Sequence, residues 1–463
     1  MSTESDELGA RHRAAVRDGV LAQARRMRWS ASRLADERQQ RLRELLTWAV
    51  ERSPFHAARL AGVDPGRFTE AQLVEIPPMT KDDLMEEFSG ITTDPRLTLE
   101  AVEDYLEDGS RPDYLFDQFR VVCSSGSGGR RGIYVYGWDE WTALALLQIR
   151  PRLGVVDGSP RPAGAATVSL FGTGATHVSR ALQLLLIDPD DPVVHLPMTL
   201  TVPEIVHRLN EVQPELVMGY PSALDVLVHE SDAGRLQIAP GHVEAGGEVL
   251  LERTRDAVRD QWGVEIDDCW AMSEGLIAHP CHIGREMHLP DDLVIVEPVD
   301  LDGRPVPMGE PAAKIFITNL YNRTQPLIRF EVPDGLTMFD EVCACGSSHR
   351  RVADITGRES IEFHYPNGVV VTAGLIGMTF DEGRHVTELQ IHQTERGASI
   401  DVVTDRPDTL EQFRRGAIAA LETAGLSDPE VSVHRVARLQ RASSGKLQMF
   451  VPLRRAAPGT DGG

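Results

Sequence analysis

Residues 119–132 read Phe-Arg-Val-Val-Cys-Ser-Ser-Gly-Ser-Gly-Gly-Arg-Arg-Gly. An apolar run ending at Cys123 gives way to hydroxyls and glycines spaced so closely that backbone N–H and side-chain O–H groups can converge on phosphate oxygens, with Arg130 and Arg131 supplying charge. A Ser/Gly-rich surface loop is the competing reading of the stretch taken alone. No lysine followed by Ser or Thr closes it, so it is not the G-x-x-x-x-G-K-[ST] phosphate loop.

What surrounds the loop sets the fold class. Between residues 160 and 330, short apolar runs at 165–171, 214–219 and 313–320 alternate with helical stretches at 201–212 and 250–262. That alternation predicts an α/β domain with buried strands. Upstream, Leu42, Leu45, Leu46, Ala49 and Val50 recur at helical spacing before Pro54, which predicts an amphipathic helix over 34–51. Beyond Gly357-Arg358 the strands predicted at 385–393, 399–405 and 431–436 surround a helix carrying Leu410, Phe413, Ala417 and Leu421, which reads as a separate α+β domain with a hinge near Arg358. Residues 1–10 and 456–463 are small, polar and unpatterned and are expected to be frayed.

Composition excludes several classes of function. The 463 residues carry 47 basic and 70 acidic side chains, and 47 − 70 gives a net charge of −23. Such a surface repels phosphate polyanions, which argues against nucleic acid and anionic membranes as partners. No apolar run of about 18 residues and no signal-peptide core occurs, which predicts a cytoplasmic protein. Five cysteines in so long a chain do not make a disulfide framework. Cys343 and Cys345 stand one residue apart, and Cys281 with His282 or His288 offers another sulfur and an imidazole, a donor set suited to tetrahedral zinc. Cys123 and Cys269, at strand ends, are expected to pack rather than react.

Four later segments fall in register with the loop: Gly246-Gly247-Glu248, Trp270-Ala271-Met272-Ser273-Glu274, Arg329-Phe330-Glu331-Val332-Pro333-Asp334 and Ser443-Ser444-Gly445-Lys446. With them, and with SPF at 53–55 and PPMTKDDL at 77–84, the chain resembles the adenylate-forming enzymes, and among them the phenylacetate–CoA ligase-like branch, over nearly its whole length. The resemblance implies a large N-terminal adenylation domain of layered sheets and helices, residues 1–357, and a small mobile C-terminal α+β lid, residues 358–463.

It further implies that Ser124, Ser125, Gly126, Ser127, Gly128, Gly129 and Arg130 hold the ATP phosphates. Gly246, Gly247 and Glu248 would lie beside adenine, with Trp270, Ala271 and Met272 next to the nucleotide. Ser273 would touch phosphate, Glu274 would help hold magnesium, and Asp334, in the segment that Arg329 opens, would bind the ribose. Lys446 would bridge the carboxylate and the α-phosphate, while Phe171, Gly172, Tyr220 and Pro221 would line the acyl pocket. The branch also has a zinc site whose histidine sits a short hairpin beyond its cysteine, which selects Cys281, His288, Cys343 and Cys345.

The expected activity is ATP-dependent activation of a small, aryl-type carboxylic acid as acyl-AMP with pyrophosphate release, followed by acyl transfer to CoA. Its cofactors would be ATP, Mg2+, structural Zn2+ and CoA, and a homodimer is compatible with it. Two departures stand out. Trp270-Ala271 replaces a Tyr-Gly pair, and residues 359–368, ESIEFHYPNG, replace the segment that passes pantetheine in CoA ligases of the branch. The second keeps open an amide-forming ligase with an amine acceptor, or AMP transfer to a cofactor-like acceptor.

Overall fold

The computed structural model describes residues 3–107, 114–124, 131–154, 165–171, 176–186, 193–196, 200–248, 250, 252–353, 355, 362–372, 376, 386–404, 406, 410–437, 439 and 450–453. Compact packing separates a larger unit, Met1–Ser124, Gly132–Leu196 and Leu209–Arg358, from a smaller one that contains Glu359–Gly463.

Strands that the apolar runs predict become the centre of the larger unit. Val193–His195, Thr167–Leu170, Leu216–Gly219, His242–Gly246 and Ile266–Ala271 lie side by side in that order, and each neighbouring pair is parallel. The runs Thr167–Leu170 and Leu216–Gly219 are buried at every position, as expected where both faces of a parallel sheet are covered. At Ile266–Ala271 the character of the sheet changes. Its other neighbour, Ile277–Pro280, runs antiparallel, as do Met287–His288, Arg351–Ala353, Leu336–Phe339 and Pro311–Ala312 beyond it. Ten strands of the described residues thus form one sheet, half parallel and half antiparallel. Two smaller antiparallel pieces complete the unit: Arg120–Cys123 with Ile133–Tyr136, and Val294–Val299, Lys314–Asn319 and Phe330–Val332.

The predicted helix over 34–51 spans Ala31–Arg52, with Ser30 accepting the Arg33 N–H at its start and Leu34, Leu42, Leu45, Leu46 and Ala49 buried. Ahead of it the structure corrects the expectation of a frayed start, because Thr3–Arg26 is a helix. Its inward positions include His12 and Gln23, both buried, so no apolar stripe announces it. His12 stacks on Trp138 and bonds Tyr114 and Thr142, while Gln23 accepts from buried Arg150 at 2.9 Å.

In the smaller unit, the strands Glu430–Arg435, Gly397–Thr404, Val386–Gln393 and Phe450–Val451 form one sheet. Phe413, Ala417 and Leu421 of the helix Leu410–Thr423 share a core with Ile391, Ile400 and Val402. The atypical FHYPNG stretch makes a hairpin here: Glu362–His364 pairs with Val370–Thr372, Phe363 and Tyr365 are buried, and the Tyr365 hydroxyl donates to the Gly397 carbonyl at 3.0 Å. Those aromatic residues fill this unit's core.

Arg150 also pairs with fully buried Asp292, Nη1 to Oδ1 at 2.7 Å and Nη2 to Oδ2 at 2.6 Å, and Arg26 approaches the same carboxylate at 3.1 Å. Burial alone would raise the Asp292 pKa, but these guanidinium groups hold it well below the usual carboxylate range. Its stabilising contribution is therefore complete above the unfolded value of about 3.9 and is lost as pH falls toward the folded one. Asp292→Ala should cost about 3–5 kcal/mol at neutral pH, because it strands Arg150 in the core. Urea unfolding of both proteins at pH 7 and at about pH 2.5, below the unfolded carboxylate value, checks this, with the gap expected to narrow at the lower pH.

Candidate active site

Four adjacent parallel strands end in four of the segments singled out from the sequence. Thr167–Leu170 leads to Phe171, Leu216–Gly219 to Tyr220 and Pro221, His242–Gly246 to Gly247 and Glu248, and Ile266–Ala271 to Met272, Ser273 and Glu274. Carboxyl ends of parallel strands are where α/β sheets place ligands. Phe171 and Tyr220 meet edge to face at 5.2 Å between ring centres. Gly247 has φ +80°, and a Cβ there would lie 3.0 Å from the Tyr220 ring, so the two segments touch only because residue 247 has no side chain.

The turn at Met272–Leu276 is the most constrained part. The Gly275 N–H closes it onto the Met272 carbonyl at 3.1 Å, and the Met272 N–H reaches the Leu276 carbonyl at 3.0 Å. Three side chains take up consecutive carbonyls: Tyr136 donates to Ser273 at 2.5 Å, Asn319 Nδ2 to Glu274 at 3.0 Å and Tyr321 to Gly275 at 2.7 Å. The Glu274 carboxylate is 5% exposed. Its Oε1 accepts from the Tyr134 hydroxyl at 2.6 Å, while Oε2, equally buried, has no partner among the described residues. A buried carboxylate oxygen without a donor is costly, and a divalent cation is the kind of group that would satisfy it.

Asp334, buried, is joined to the same turn: the Trp270 indole N–H donates to Asp334 Oδ2 at 3.0 Å. Thus the Trp-for-Tyr departure has a local consequence, because a tyrosine carries no indole N–H. Arg329 stands at the opposite end of the strand Phe330–Val332, with its guanidinium bonded to Glu297 at 3.1 Å and to the Val74 and Ile76 carbonyls, and stacked 4.8 Å from Phe316. Its backbone carbonyl accepts from Met79 at 2.9 Å. In this geometry Arg329 fastens the segment leading to Asp334.

Ser124 closes the neck of the serine–glycine loop. Its N–H donates to the Gly132 carbonyl at 2.9 Å and its Oγ accepts from the Gly132 N–H at 2.8 Å. Ser125, Gly126, Ser127, Gly128, Gly129 and Arg130, together with Gly172, Arg358 and Lys446, lie outside the described residues.

At the far end of Ile277–Pro280, the Sγ atoms of Cys281, Cys343 and Cys345 and a ring nitrogen of His288 all lie within 4.8 Å of one another. His288 donates from Nδ1 to the His349 carbonyl at 3.2 Å, which turns Nε2 toward Cys345 Sγ at 3.3 Å. Burial, the largest influence, lowers the His288 pKa and keeps the imidazole neutral, as a ligand must be. Burial pushes the Cys345 thiol up to about 11. Cys343 is held below the usual thiol value despite its burial, chiefly by the Cys345 N–H donated to its sulfur. His282, the alternative ligand, is exposed.

Tyr134, Tyr136, Asn319 and Tyr321 escaped the sequence reading, since a tyrosine in IYVY signals only a strand. No family model matches the chain. It is 26% identical over 338 residues to a phenylacetate-coenzyme A ligase of Thermus thermophilus, covering 69% of each chain. Among solved structures, 2-hydroxyisobutyryl-CoA ligase with 2-HIB-AMP and CoA superposes with TM-score 0.58 at 18% identity, over 92% of this chain and 91% of that one. The same ligase in its postadenylation state gives 0.57 at 19%, over 93% and 92%. The fold is that of the adenylate-forming superfamily. Within that class, the chain is similar to the phenylacetate–CoA ligase branch.

Gly275 (φ +99°) tests the turn: a Cβ there would lie 2.3 Å from Asn319 Nδ2 and 2.7 Å from the Tyr321 hydroxyl. Gly263 (φ +73°) has nothing within 4 Å. Gly275→Ala should therefore cost about 2–4 kcal/mol against about 1–2 for Gly263→Ala, in parallel urea titrations.

Proposed function

We propose that the protein activates a small carboxylic acid with ATP, forming acyl-AMP and pyrophosphate, and then transfers the acyl group to CoA. The observation that carries this reading is the convergence of Tyr220, Gly247, the Met272–Leu276 turn and, through Trp270, Asp334 on one set of strand ends. The edge-to-face wall of Phe171 and Tyr220 favours a flat, aryl acid over a long acyl chain.

In this reading the acid's carboxylate attacks the α-phosphorus and the bond to pyrophosphate breaks. Two anions must be brought together, so the reaction needs donors along the phosphates and cations on both reactants. Asp334, held by Trp270, accepts the ribose hydroxyls. Residues 124–130 surround the phosphates with N–H and O–H donors, Ser273 adds to them, and Lys446 neutralises the carboxylate and the α-phosphate. The donorless Oε2 of Glu274 fits magnesium, which when bound neutralises phosphate charge. Cys281, His288, Cys343 and Cys345 fit zinc, and four protein ligands make such a site structural.

Pyrophosphate release screened over aryl and short aliphatic acids, with CoA and then amines added, tests the reaction and its acceptor. Lys446→Ala should lower ATP–pyrophosphate exchange by about 10²–10³ and leave thermal stability unchanged. Near-normal exchange would refute the assignment.

Freshly prepared protein that has met no chelator should contain one zinc per chain by metal analysis. Cys343→Ser should lower the melting temperature more than Cys123→Ser, since only the former removes a ligand from a folding-linked site. Equal shifts with no zinc found would reject the metal.

A further inference from the structure

The functional reading gives Glu274 a magnesium ion but leaves open what fixes its side chain. Backbone bonds to Tyr136, Asn319 and Tyr321 immobilise the turn, yet a glutamate still has three rotatable bonds beyond it. The group that reaches its carboxylate is Tyr134, fully buried on the strand Ile133–Tyr136. Its hydroxyl lies 2.6 Å from Oε1, the short distance of a charge-assisted O–H···O⁻ bond. Among the described residues, Oε2 on the same buried carboxylate is left without a donor.

Two contacts fix the phenol in turn. Its ring stands edge-on to Phe330 at 6.5 Å between centres. Gly132 also covers it so closely that a Cβ there would come within 2.7 Å of the hydroxyl and 2.9 Å of the ring. Gly132 is also the residue that Ser124 holds at the neck of the serine–glycine loop. The phenol therefore sits between the start of the phosphate segment and the carboxylate.

We propose that Tyr134 is the positioning residue of the metal site: it holds one oxygen of Glu274 so that the other is presented, fixed and donorless, to the cation that accompanies ATP. A neutral donor suits this task. A lysine or arginine at 134 would cancel the charge that the cation needs, whereas a phenol orients the carboxylate and leaves it anionic. The proposal rests on the adenylation reading, which supplies the nucleotide and its metal.

Tyr134→Phe removes one oxygen atom and keeps the ring. Manganese, followed by its EPR signal, serves as the probe, titrated into the full-length protein saturated with α,β-methylene-ATP. The variant should bind Mn2+ about tenfold or more weakly, the usual effect of losing an outer-sphere partner. Its affinity for the nucleotide without metal and its melting temperature should stay close to wild type. In ATP–pyrophosphate exchange, the Mg2+ concentration giving half-maximal rate should rise by the same factor. Gly132→Ala, whose Cβ would displace the phenol, should shift Mn2+ binding in the same direction.

Wild-type Mn2+ affinity in Tyr134→Phe would overturn the proposal. Equal losses in Mn2+ binding, metal-free nucleotide binding and melting temperature would overturn it too, by making Tyr134 a packing residue. A wild-type protein with no metal-dependent exchange at all would instead bring down the adenylation reading on which the proposal rests.

Discussion

Everything at the candidate site hangs on three consecutive carbonyls. Where the strand Ile266–Ala271 turns back into Ile277–Pro280, Ser273, Glu274 and Gly275 leave the sheet ladder while staying buried, so their carbonyls need donors from elsewhere. Tyr136, Asn319 and Tyr321 provide them. These donors belong to the two smaller sheets or their flanks, so satisfying one tight turn also welds those pieces to the large sheet. Asn319 goes further: its Oδ1 accepts from the Tyr321 and Asn322 N–H groups, and Asn322 Nδ2 donates to the Val135 carbonyl. The network leads back to the strand that carries Tyr134 and Tyr136.

The same hairpin separates two chemistries. One end of Ile277–Pro280 is the constrained turn, and the other leads directly to Cys281. Four residues of strand span about 13 Å, so the cluster of cysteines and histidine lies too far away to touch a substrate at the turn. What it can do is fasten the antiparallel half of the sheet. Cys281 and His288 flank the hairpin that joins two of its strands, and Cys343 and Cys345 lie on the connection between two others, Leu336–Phe339 and Arg351–Ala353. A metal ion bound by these four residues, as proposed, would tie those connections together and hold short antiparallel strands, one of them two residues long, against fraying.

The sequence made the parallel strands legible because burial on both faces leaves apolar runs, and it made the site segments legible because glycines and carboxylates in register are rare together. It hid the helix Thr3–Arg26, whose inward face mixes the polar His12 and Gln23 with the small apolar Val16 and Val20. It also hid the donors. IYVY reads as four strand residues buried alike, and nothing in that spacing says that two of its hydroxyls reach a turn some 140 residues further along the chain. Propensity reports which element a residue joins; which buried carbonyl it satisfies depends on how separate elements are stacked.

Both carboxylates of the site are held in the same manner, and this explains an otherwise odd distribution of charge. Glu274 is held by a phenol and Asp334 by an indole, each a neutral donor to one oxygen. The cation nearest to Asp334 in sequence, Arg329, is turned away and spent on Glu297 and on backbone carbonyls. Had Arg329 paired with either site carboxylate, it would have neutralised a group whose use depends on its being a strong acceptor. Neutral aromatic donors fix direction without adding a compensating charge, which is what the proposed roles of these carboxylates, accepting hydroxyl groups or a metal ion, would require.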